Sequence, residues 1–301
     1  DHAGIATQKI VETNLKNETN LNKTDIGKEE FIKKVWSWKE KSGNKIINQI
    51  KRLGASPDWK RKRFTLDEEM SKAVTFTFVE LFKKGLIYKD KRLVNWDIGL
   101  QTAVSDLEVE QIEKDGEFFY IKYFLVDSSK YLEVATTRPE TIFGDQCLAV
   151  NPKDSRYKNF IGKKVYLPLT NQTIPILSDD YVDKEKGSGV LKITPAHDFN
   201  DYKIGKKNNL NLKIIFDKFG KFNANVPSKY QGMDRIKSRK IIIDDLKKNG
   251  NFLKIEKIKH TVPYGDRSES IIEPYLTDQW FMNVQPIAEK VIEFVKRNET
   301  K

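Results

Sequence analysis

The sequence predicts a mixed α/β chain in which a β-barrel is inserted between two helical or α/β flanks. Three observations lead to this fold class. Apolar residues recur at helical spacing up to Gly85, short β-branched and aromatic runs follow from about Glu108, and helical spacing returns from about Met233. Several short strands at such spacing are typical of a barrel or a curled sheet.

The first part of the chain is predicted to be helical. A short helix is expected over residues 5–11, and a longer one from Phe31 to Gly54, whose glycine suits a helix C-terminus. A third helix is expected to start at the capping box of Thr65 and Glu68 and to end at Gly85.

Strands are predicted from runs of β-branched and aromatic residues that are bounded by turn residues. These runs lie at 86–88, 93–96, 118–126, 131–136, 146–150, 164–167, 173–177, 190–193, 213–216 and 271–272. Helices are expected after Thr194, from about Met233 to Gly250, and around 288–295.

Composition limits the classes of partner and site. With 301 residues and 38% hydrophobic content the chain is long enough for two domains, and its formal charge of +11 favours a nucleic acid partner. The alternative is that a lysine-rich surface is simply well solvated. A single cysteine and three scattered histidines exclude a disulfide framework and a Cys/His zinc site, so no metal is expected.

No apolar run approaches the roughly 20 residues that cross a membrane, and no signal peptide opens the chain. We therefore expect a cytoplasmic protein with no membrane partner. The chain begins without methionine, which we interpret as a piece of a longer protein.

A strand that runs into a helix at 190–201 carries the main polar cluster. Thr194 is predicted to cap the helix, and Pro195 suits its first position because the missing N–H would be unpaired there. Asp198 and Asp201 are three residues apart and fall on one face near the helix N-terminus. With Lys192 from the strand, these donors and acceptors predict a polar pocket.

A second polar stretch, Thr136–Thr141, also leaves a strand and turns at a proline. Arg138 offers a planar fork for a phosphate, a carboxylate or a ribose edge, and Thr137 and Thr141 offer hydroxyls. Taken alone, this pattern is more typical of a strand-end turn with a surface arginine.

Five segments together resemble the valyl-tRNA synthetases, in the same order and over essentially the whole chain. They are Asp1–Gln8, Arg92–Asp97, Thr136–Asp145, Lys192–Asp201 and Thr277–Phe281. The resemblance implies residues 1–110 as a helix-rich flank and linker, 111–262 as a β-barrel editing domain, and 263–301 as a return into a partial Rossmann-type catalytic domain.

The resemblance also implies an activity, the hydrolysis of threonine mistakenly esterified to the terminal adenosine of tRNA(Val). For this very family, an apolar pocket that accepts valine is known to reject the isosteric threonine by only about a hundredfold. A second site must therefore select for the hydroxyl. The alternative is a module that binds the tRNA acceptor end and is inactive without the rest of the synthetase.

Within this resemblance the editing site is implied at the two polar stretches. The implied catalytic residues are Asp198, Asp201 and Thr141. The implied substrate-binding residues are Arg138, Thr137, Lys192, Thr194 and Asp201. We expect a positioned water, with one of the two aspartates holding the substrate ammonium, while helix stabilisation is the alternative role for both. His197 is expected to support the site residues or to pack against the helix rather than to catalyse.

Asp1, Trp96 and Trp280 are implied as remnants of the synthetic site. As bare residues, the two tryptophans are more often core aromatics. The ATP signatures of the family are absent from this chain, and Glu69–Lys72, which resembles one of them, lies within a predicted helix. We therefore expect ATP to serve only the full-length ligase and editing to need no cofactor. The expected partners are the tRNA(Val) acceptor end and the threonine moiety, and the chain is expected to be a monomer.

Overall fold

The structure is a computed structural model that describes residues 4–297 and 299. The chain divides into two compact units. The first comprises the described residues up to Lys89 together with those from Trp280 onward, and the second comprises Asp90–Gln279. The predicted domain boundaries at 110 and 262 came from the sequence resemblance and not from compactness. They stay predictions.

The fold is mixed α/β, as predicted at the level of class. The helices are α1 (Gly4–Thr19), α2 (Lys23–Ile26), α3 (Lys28–Arg52), α4 (Glu68–Lys83), α5 (Phe199–Lys207), α6 (Ser238–Lys248) and α7 (Gln285–Lys296). The strands are β1 (Ile87–Asp97), β2 (Thr102–Val104), β3 (Val109–Phe124), β4 (Tyr131–Thr136), β5 (Cys147–Val150), β6 (Lys164–Tyr166), β7 (Thr173–Ser178), β8 (Val190–Ile193), β9 (Phe252–Gly265) and β10 (Glu273–Met282).

The first unit is mainly helical. Helix α4 begins two residues later than the capping box predicted, because Asp67 rather than Thr65 caps it by accepting a hydrogen bond from the Met70 amide at 2.8 Å. The helix ends just before Gly85, whose φ of +69° lies in the left-handed region that follows many helices. Among the described residues, no helix is long and apolar enough to span a bilayer.

The second unit is built on two sheets over one apolar core. One sheet has the order β4-β3-β9, with the long β3 and β9 antiparallel from the Val109↔Gly265 pair onward. The other has the order β6-β7-β5-β8 and is mixed, since only β5 and β7 are parallel. Fully buried side chains between them include Ile121, Val134 and Ile176. A third sheet has the order β10-β1-β2.

The described strands form several sheets, and none of these sheets closes into the predicted β-barrel. The run at 213–216 was expected to continue the sheet, but it makes only one bridge, Phe216↔Phe222. A single bridge, Leu125↔Val165, joins the end of β3 to β6. Because closure needs an unbroken ring of paired strands, these isolated bridges leave both sheets with free edges.

Candidate active site

The second unit contains a cavity of about 820 Å³ between the end of β4, the start of α5 and the middle of β9. All residues that the sequence predicted for editing line this one cavity. They are Thr137, Arg138, Thr141, Lys192, Thr194, Asp198 and Asp201. The structure therefore brings together two stretches that are more than 50 residues apart in the chain, as the Lys192–Thr141 contact shows with its separation of 51.

Strand register explains how the two stretches meet. β5 and β8 are antiparallel with Cys147 opposite Ile193, so Asp145, just before β5, lies beside Thr194, just after β8. The turn that carries Asp145 approaches closely because Gly144 has no side chain. A Cβ there would lie only 2.8 Å from Cγ2 of Thr194.

The strand-to-helix turn differs from its prediction. Thr194 and Pro195 belong to a tight turn that returns at His197, and α5 starts only at Phe199. Asp198 is the N-cap, since its Oδ1 accepts from the Asn200 amide at 2.8 Å and from the Asp201 amide at 3.1 Å. The amide of Thr194 donates to Oδ2 of Asp201 at 2.8 Å, and the Thr194 hydroxyl donates to Asp145 rather than capping the helix.

Four buried side chains form what we call the lysine cluster: Lys192, Asp145, Thr141 and Thr194. The Lys192 ammonium donates to Oγ1 of Thr141 at 2.7 Å, to Oδ1 of Asp145 at 2.8 Å and to Oγ1 of Thr194 at 2.6 Å. The Thr194 hydroxyl also contacts Oδ1 of Asp145 at 2.7 Å. Tyr123, from the core, donates its hydroxyl hydrogen to the other Asp145 oxygen at 2.6 Å.

The two aspartates of α5 have different surroundings. Asp198 is exposed, whereas Asp201 is buried. Burial, and then the neighbouring charge of Asp198, raise the pKa of Asp201 to about 7, although the Thr194 amide and the Lys192 charge act in the opposite direction. Near neutral pH the cavity therefore contains a carboxyl group that exchanges between its neutral and ionised forms.

A second ionic group, the arginine cluster, meets the cavity at Arg138 and comprises Arg138, Glu140, Glu273, Arg235 and Arg239. Nη2 of Arg138 contacts both oxygens of Glu273 at 2.7 Å, and its Nε donates to Glu140 at 3.2 Å. Arg239 donates to the same Glu140 oxygen at 2.8 Å. Nε of Arg235 lies 3.3 Å from Glu273.

These contacts change what Arg138 can offer a ligand. Burial alone would raise the pKa of Glu273, but the charge of Arg138 and the contacts of His197 and Arg235 hold it at about 2, so this carboxylate stays ionised. Arg138 uses Nη1 for the His197 carbonyl at 3.0 Å as well as Nε and Nη2 for the glutamates. Of the five N–H groups of a guanidinium, one on Nη1 remains available. The free fork expected from the sequence is not available.

His197 is buried and contacts other protein groups through both of its ring nitrogens. Its Nε2 accepts a hydrogen bond from the buried Ile215 amide at 3.0 Å, and its Nδ1 lies 3.4 Å from Glu273. The ring packs edge-on against Phe216, and burial lowers its pKa, which favours the neutral form. These contacts are made outside α5, and a non-catalytic role for His197 stays a prediction.

Three contributors to the site were not given roles from the sequence. Asp145 stands in one of the recognised segments, and its burial next to Lys192 could have been suspected from that position alone. Tyr123 and Glu273 had no local signal, because their contacts depend on strand pairing and, for Glu273 with Arg138, on a separation of 135 residues.

The remaining predicted residues lie elsewhere. Trp96 packs against Tyr275 and donates its Nε1 hydrogen to the Lys218 carbonyl at 2.8 Å. Trp280 belongs to the first unit, where it meets Phe78 of α4 edge-on. Asp1 lies outside the described residues.

No group of ligands suitable for a metal ion occurs within residues 4–297. Cys147 is buried, and that burial raises the pKa of its thiol, which makes it a poor nucleophile. The side chains that line the cavity supply hydroxyls, carboxylates and cationic groups.

Comparison with known proteins gives a consistent family. The family model of class I tRNA synthetases for isoleucine, leucine, methionine and valine matches residues 1–301. A valine–tRNA ligase of Pelagibacter ubique is 54% identical over 300 residues, which are 100% of this chain and 34% of that protein. The valine–tRNA ligase of Legionella pneumophila is 54% identical over 99% of this chain and 32% of its own length.

The valine–tRNA ligase of Francisella tularensis is 50% identical over 100% of this chain and 33% of its own length. The chain thus spans about a third of the length of these curated relatives. A crystal structure of a ternary complex of Agrobacterium radiobacter LeuRS with tRNA and LeuAMS matches at a TM-score of 0.38 and 15% identity, over 89% of this chain and 42% of that one, a likeness too low to bear on function.

Proposed function

This chain belongs to the family of class I tRNA synthetases for isoleucine, leucine, methionine and valine, and we propose from this premise that it is the part of a valine–tRNA ligase that hydrolyses mischarged threonyl-tRNA(Val). The relatives at 50–54% identity support the amino acid assignment. The observation that carries the hydrolytic proposal is the convergence of both polar stretches on one cavity.

The proposed reaction is the hydrolysis of an ester. The oxygen of a bound water attacks the carbonyl carbon of the threonyl group, and the bond between that carbon and the ribose oxygen breaks. The ribose oxygen takes up a proton, and the products are free threonine and a tRNA with a free terminal hydroxyl. The cavity holds the reacting groups in place and supplies hydrogen bonds rather than a covalent nucleophile.

Asp201 is the group that we assign to the substrate ammonium. It is buried at the cavity, and its Oδ2 is fixed by the Thr194 amide. An ammonium ion beside it would favour the ionised carboxylate and would lower the raised pKa of Asp201. Asp198 acts on this group through its charge and as the helix cap, rather than by holding the substrate itself.

The adenosine end of the substrate would lie at the end of β4. Arg138 has one Nη1 hydrogen to offer, and the Thr137 hydroxyl lines the same side of the cavity. The turn at Lys186–Gly189 borders the cavity as well, but a lysine at 186 cannot stack on adenine as an aromatic residue would. Thr141 would contact the ester or the threonyl group from the lysine cluster.

A deacylation assay tests the proposal. The chain is mixed with threonyl-tRNA(Val) and, separately, with valyl-tRNA(Val), and the loss of each ester is followed while circular dichroism confirms folding. We expect accelerated loss of threonine and little loss of valine. A folded chain that leaves the threonyl ester as stable as buffer does would contradict the proposal.

The second candidate, a tRNA acceptor-end binding module without turnover, is favoured by the net charge of +11. It predicts salt-sensitive binding of tRNA(Val) with no ester loss, so the two assays together separate the candidates. In either case we propose a cytoplasmic, monomeric protein that uses no cofactor for editing, with ATP serving only the whole ligase. Amino-acid-dependent pyrophosphate exchange by this chain would contradict that last point.

A further inference from the structure

We propose that Asp145 is a positioning residue that turns the lysine cluster into a surface of hydrogen-bond acceptors, so that the site recognises the substrate hydroxyl as a hydrogen-bond donor. This inference rests on the proposed function and specifies how its selectivity arises. It differs from the simpler expectation that the Lys192 ammonium itself donates to the threonine hydroxyl.

The hydrogens of Lys192 are all committed within the cluster. An ammonium group carries three hydrogens, and Nζ of Lys192 has three acceptors at 2.6–2.8 Å, namely Thr141, Asp145 and Thr194. Lys192 therefore has no hydrogen left for a ligand while the cluster stays intact.

The two threonine hydroxyls are committed in the same sense. Thr141 donates its hydrogen to the Arg138 carbonyl at 2.9 Å, and Thr194 donates its hydrogen to Oδ1 of Asp145 at 2.7 Å. Each oxygen also accepts one hydrogen from Lys192. A hydroxyl oxygen can accept two hydrogen bonds, so each of the two retains one lone pair, and both residues line the cavity.

Asp145 is the group that sets these directions. Its Oδ1 accepts from both Lys192 and Thr194, while Oδ2 accepts from Tyr123 in the core. The carboxylate is fully buried, which fixes both oxygens in place. Without Oδ1, one hydrogen of Lys192 and the hydrogen of Thr194 would become free to turn towards the cavity.

The site should therefore prefer a substrate group that donates a hydrogen bond over one that only accepts. The threonine hydroxyl can donate to Thr194 or Thr141, whereas the methyl group of valine cannot and leaves that lone pair without a partner. The same acceptors suit the substrate ammonium. A group that only accepts hydrogen bonds gains nothing at this surface.

Two pairs of isosteric esters test, on the unaltered chain, whether the site prefers a hydrogen-bond donor. Threonine and valine form one pair, and O-methylthreonine, which accepts but cannot donate, forms the other with isoleucine. Each amino acid is esterified to tRNA(Val), and kcat/KM for ester loss is measured. We expect threonyl to exceed valyl by at least about tenfold, from one hydrogen bond with a charged network, and O-methylthreonyl to equal isoleucyl within about threefold.

Two variants test the role of Asp145. Asp145→Ala removes Oδ1, so one hydrogen of Lys192 and the hydrogen of Thr194 lose their acceptor and can turn towards the cavity. We expect the threonyl-to-valyl ratio of kcat/KM to fall about tenfold or more. Tyr123→Phe removes a partner of Oδ2 but keeps Oδ1 and its charge, so we expect that ratio to stay within about threefold of the unaltered chain.

The outcomes separate this inference from the function on which it rests. A chain that leaves threonyl-tRNA(Val) intact overturns both. A chain that hydrolyses it, but also hydrolyses O-methylthreonyl about tenfold faster than isoleucyl esters, overturns the inference alone. An Asp145→Ala variant that slows threonyl and valyl esters equally does the same, because a merely structural role would leave the ratio unchanged. If that variant does not fold, the ester pairs still decide.

Discussion

The lysine cluster and the arginine cluster each contribute at least one residue to the lining of the 820 Å³ cavity, but they differ in how many charged partners each carboxylate has. Lys192 is the only cation in contact with Asp145 among the described residues, and every hydrogen of its ammonium has a partner. In the arginine cluster each carboxylate meets two arginines, and buried atoms of Glu140, Arg235 and Arg239 have no hydrogen-bond partner within residues 4–297.

We interpret this difference as a division between substrate recognition by one cluster and stabilisation of the fold by the other. A network in which every hydrogen is assigned has one arrangement, and it can therefore fix which lone pairs face a ligand. A network with surplus charges can lose one contact and keep its carboxylates neutralised. We infer that the lysine cluster sets selectivity, while the arginine cluster holds the turn after β4 against β10 and α6.

The largest difference is expected for removal of one cation from each cluster. Lys192→Met leaves Asp145 buried without a counter-charge and is expected to cost about 3–5 kcal/mol of unfolding free energy. It should also weaken the preference for threonine over valine. Chemical denaturation and the two-ester assay measure these effects.

The matched control is Arg239→Met. Glu140 keeps its ion pair with Arg138 in this variant, and the Arg239 side chain is 32% exposed, so we expect a loss of at most about 1–2 kcal/mol. Equal losses for the two variants would remove the distinction between the clusters.

Asp201→Ala is expected to have the next largest effect, on activity. Loss of the carboxylate that holds the substrate ammonium should lower kcat/KM for threonyl-tRNA(Val) by about a hundredfold or more, with tRNA affinity changed by no more than a few fold. Filter binding of tRNA provides the control. A variant that deacylates normally would exclude Asp201 from the site.

The pH dependence follows from the pKa of Asp201, which lies at about 7. Since the ionised form binds the ammonium, kcat/KM should rise several-fold between pH 6 and pH 8, by roughly tenfold at most, if this carboxyl alone limits the rate. An Asp201→Asn variant should be slow and should lack this rise. The same rise in that variant would assign the titration to another group.

The contribution of Asp201 to the free energy of unfolding should fall as the pH rises. The pKa of Asp201 is above its ordinary value of 3.8, so the carboxyl favours the folded state less as the pH rises towards and through 7. The melting temperature of Asp201→Asn minus that of the unaltered chain should therefore be larger at pH 8 than at pH 5. A gain that is equal at both pH values would contradict the raised pKa.

The site residues that could be predicted from the sequence are those that lie close together in the chain. Lys192, Thr194 and Asp201 lie within ten positions of one another, so local spacing was sufficient to bring them together. The start of α5 was not predicted, because both Thr194 and Asp198 are acceptable caps and the Thr194 hydroxyl is taken by Asp145, which is 49 positions away in the chain. The open sheets could not be foreseen, since strand closure depends on long-range pairing.

His197→Phe tests the structural role of this residue. The variant removes the acceptor of the buried Ile215 amide and should cost about 1–3 kcal/mol of unfolding free energy. Deacylation by the folded fraction should stay within a few fold. A rate that falls a hundredfold while stability is unchanged would instead make His197 a catalytic group.

The smallest effect is expected for Asp198→Ala, which removes the cap of α5 at a cost of about 1 kcal/mol. Asp198→Asn keeps a capping oxygen and should recover most of that stability. Both variants should lower the apparent pKa of the activity profile, because the charge of Asp198 helps to raise the pKa of Asp201. A loss of activity as large as that of Asp201→Ala would assign the ammonium to Asp198 instead.

The most direct test of the account is a crystal structure of the chain with a non-hydrolysable threonyl-adenosine analogue. We predict that the threonyl group occupies the 820 Å³ cavity, with its ammonium at Asp201 and its hydroxyl within hydrogen-bond distance of Thr194 or Thr141. The lysine cluster should keep its internal contacts. An analogue bound outside this cavity, or one whose hydroxyl displaces Asp145 from Lys192, would contradict the account.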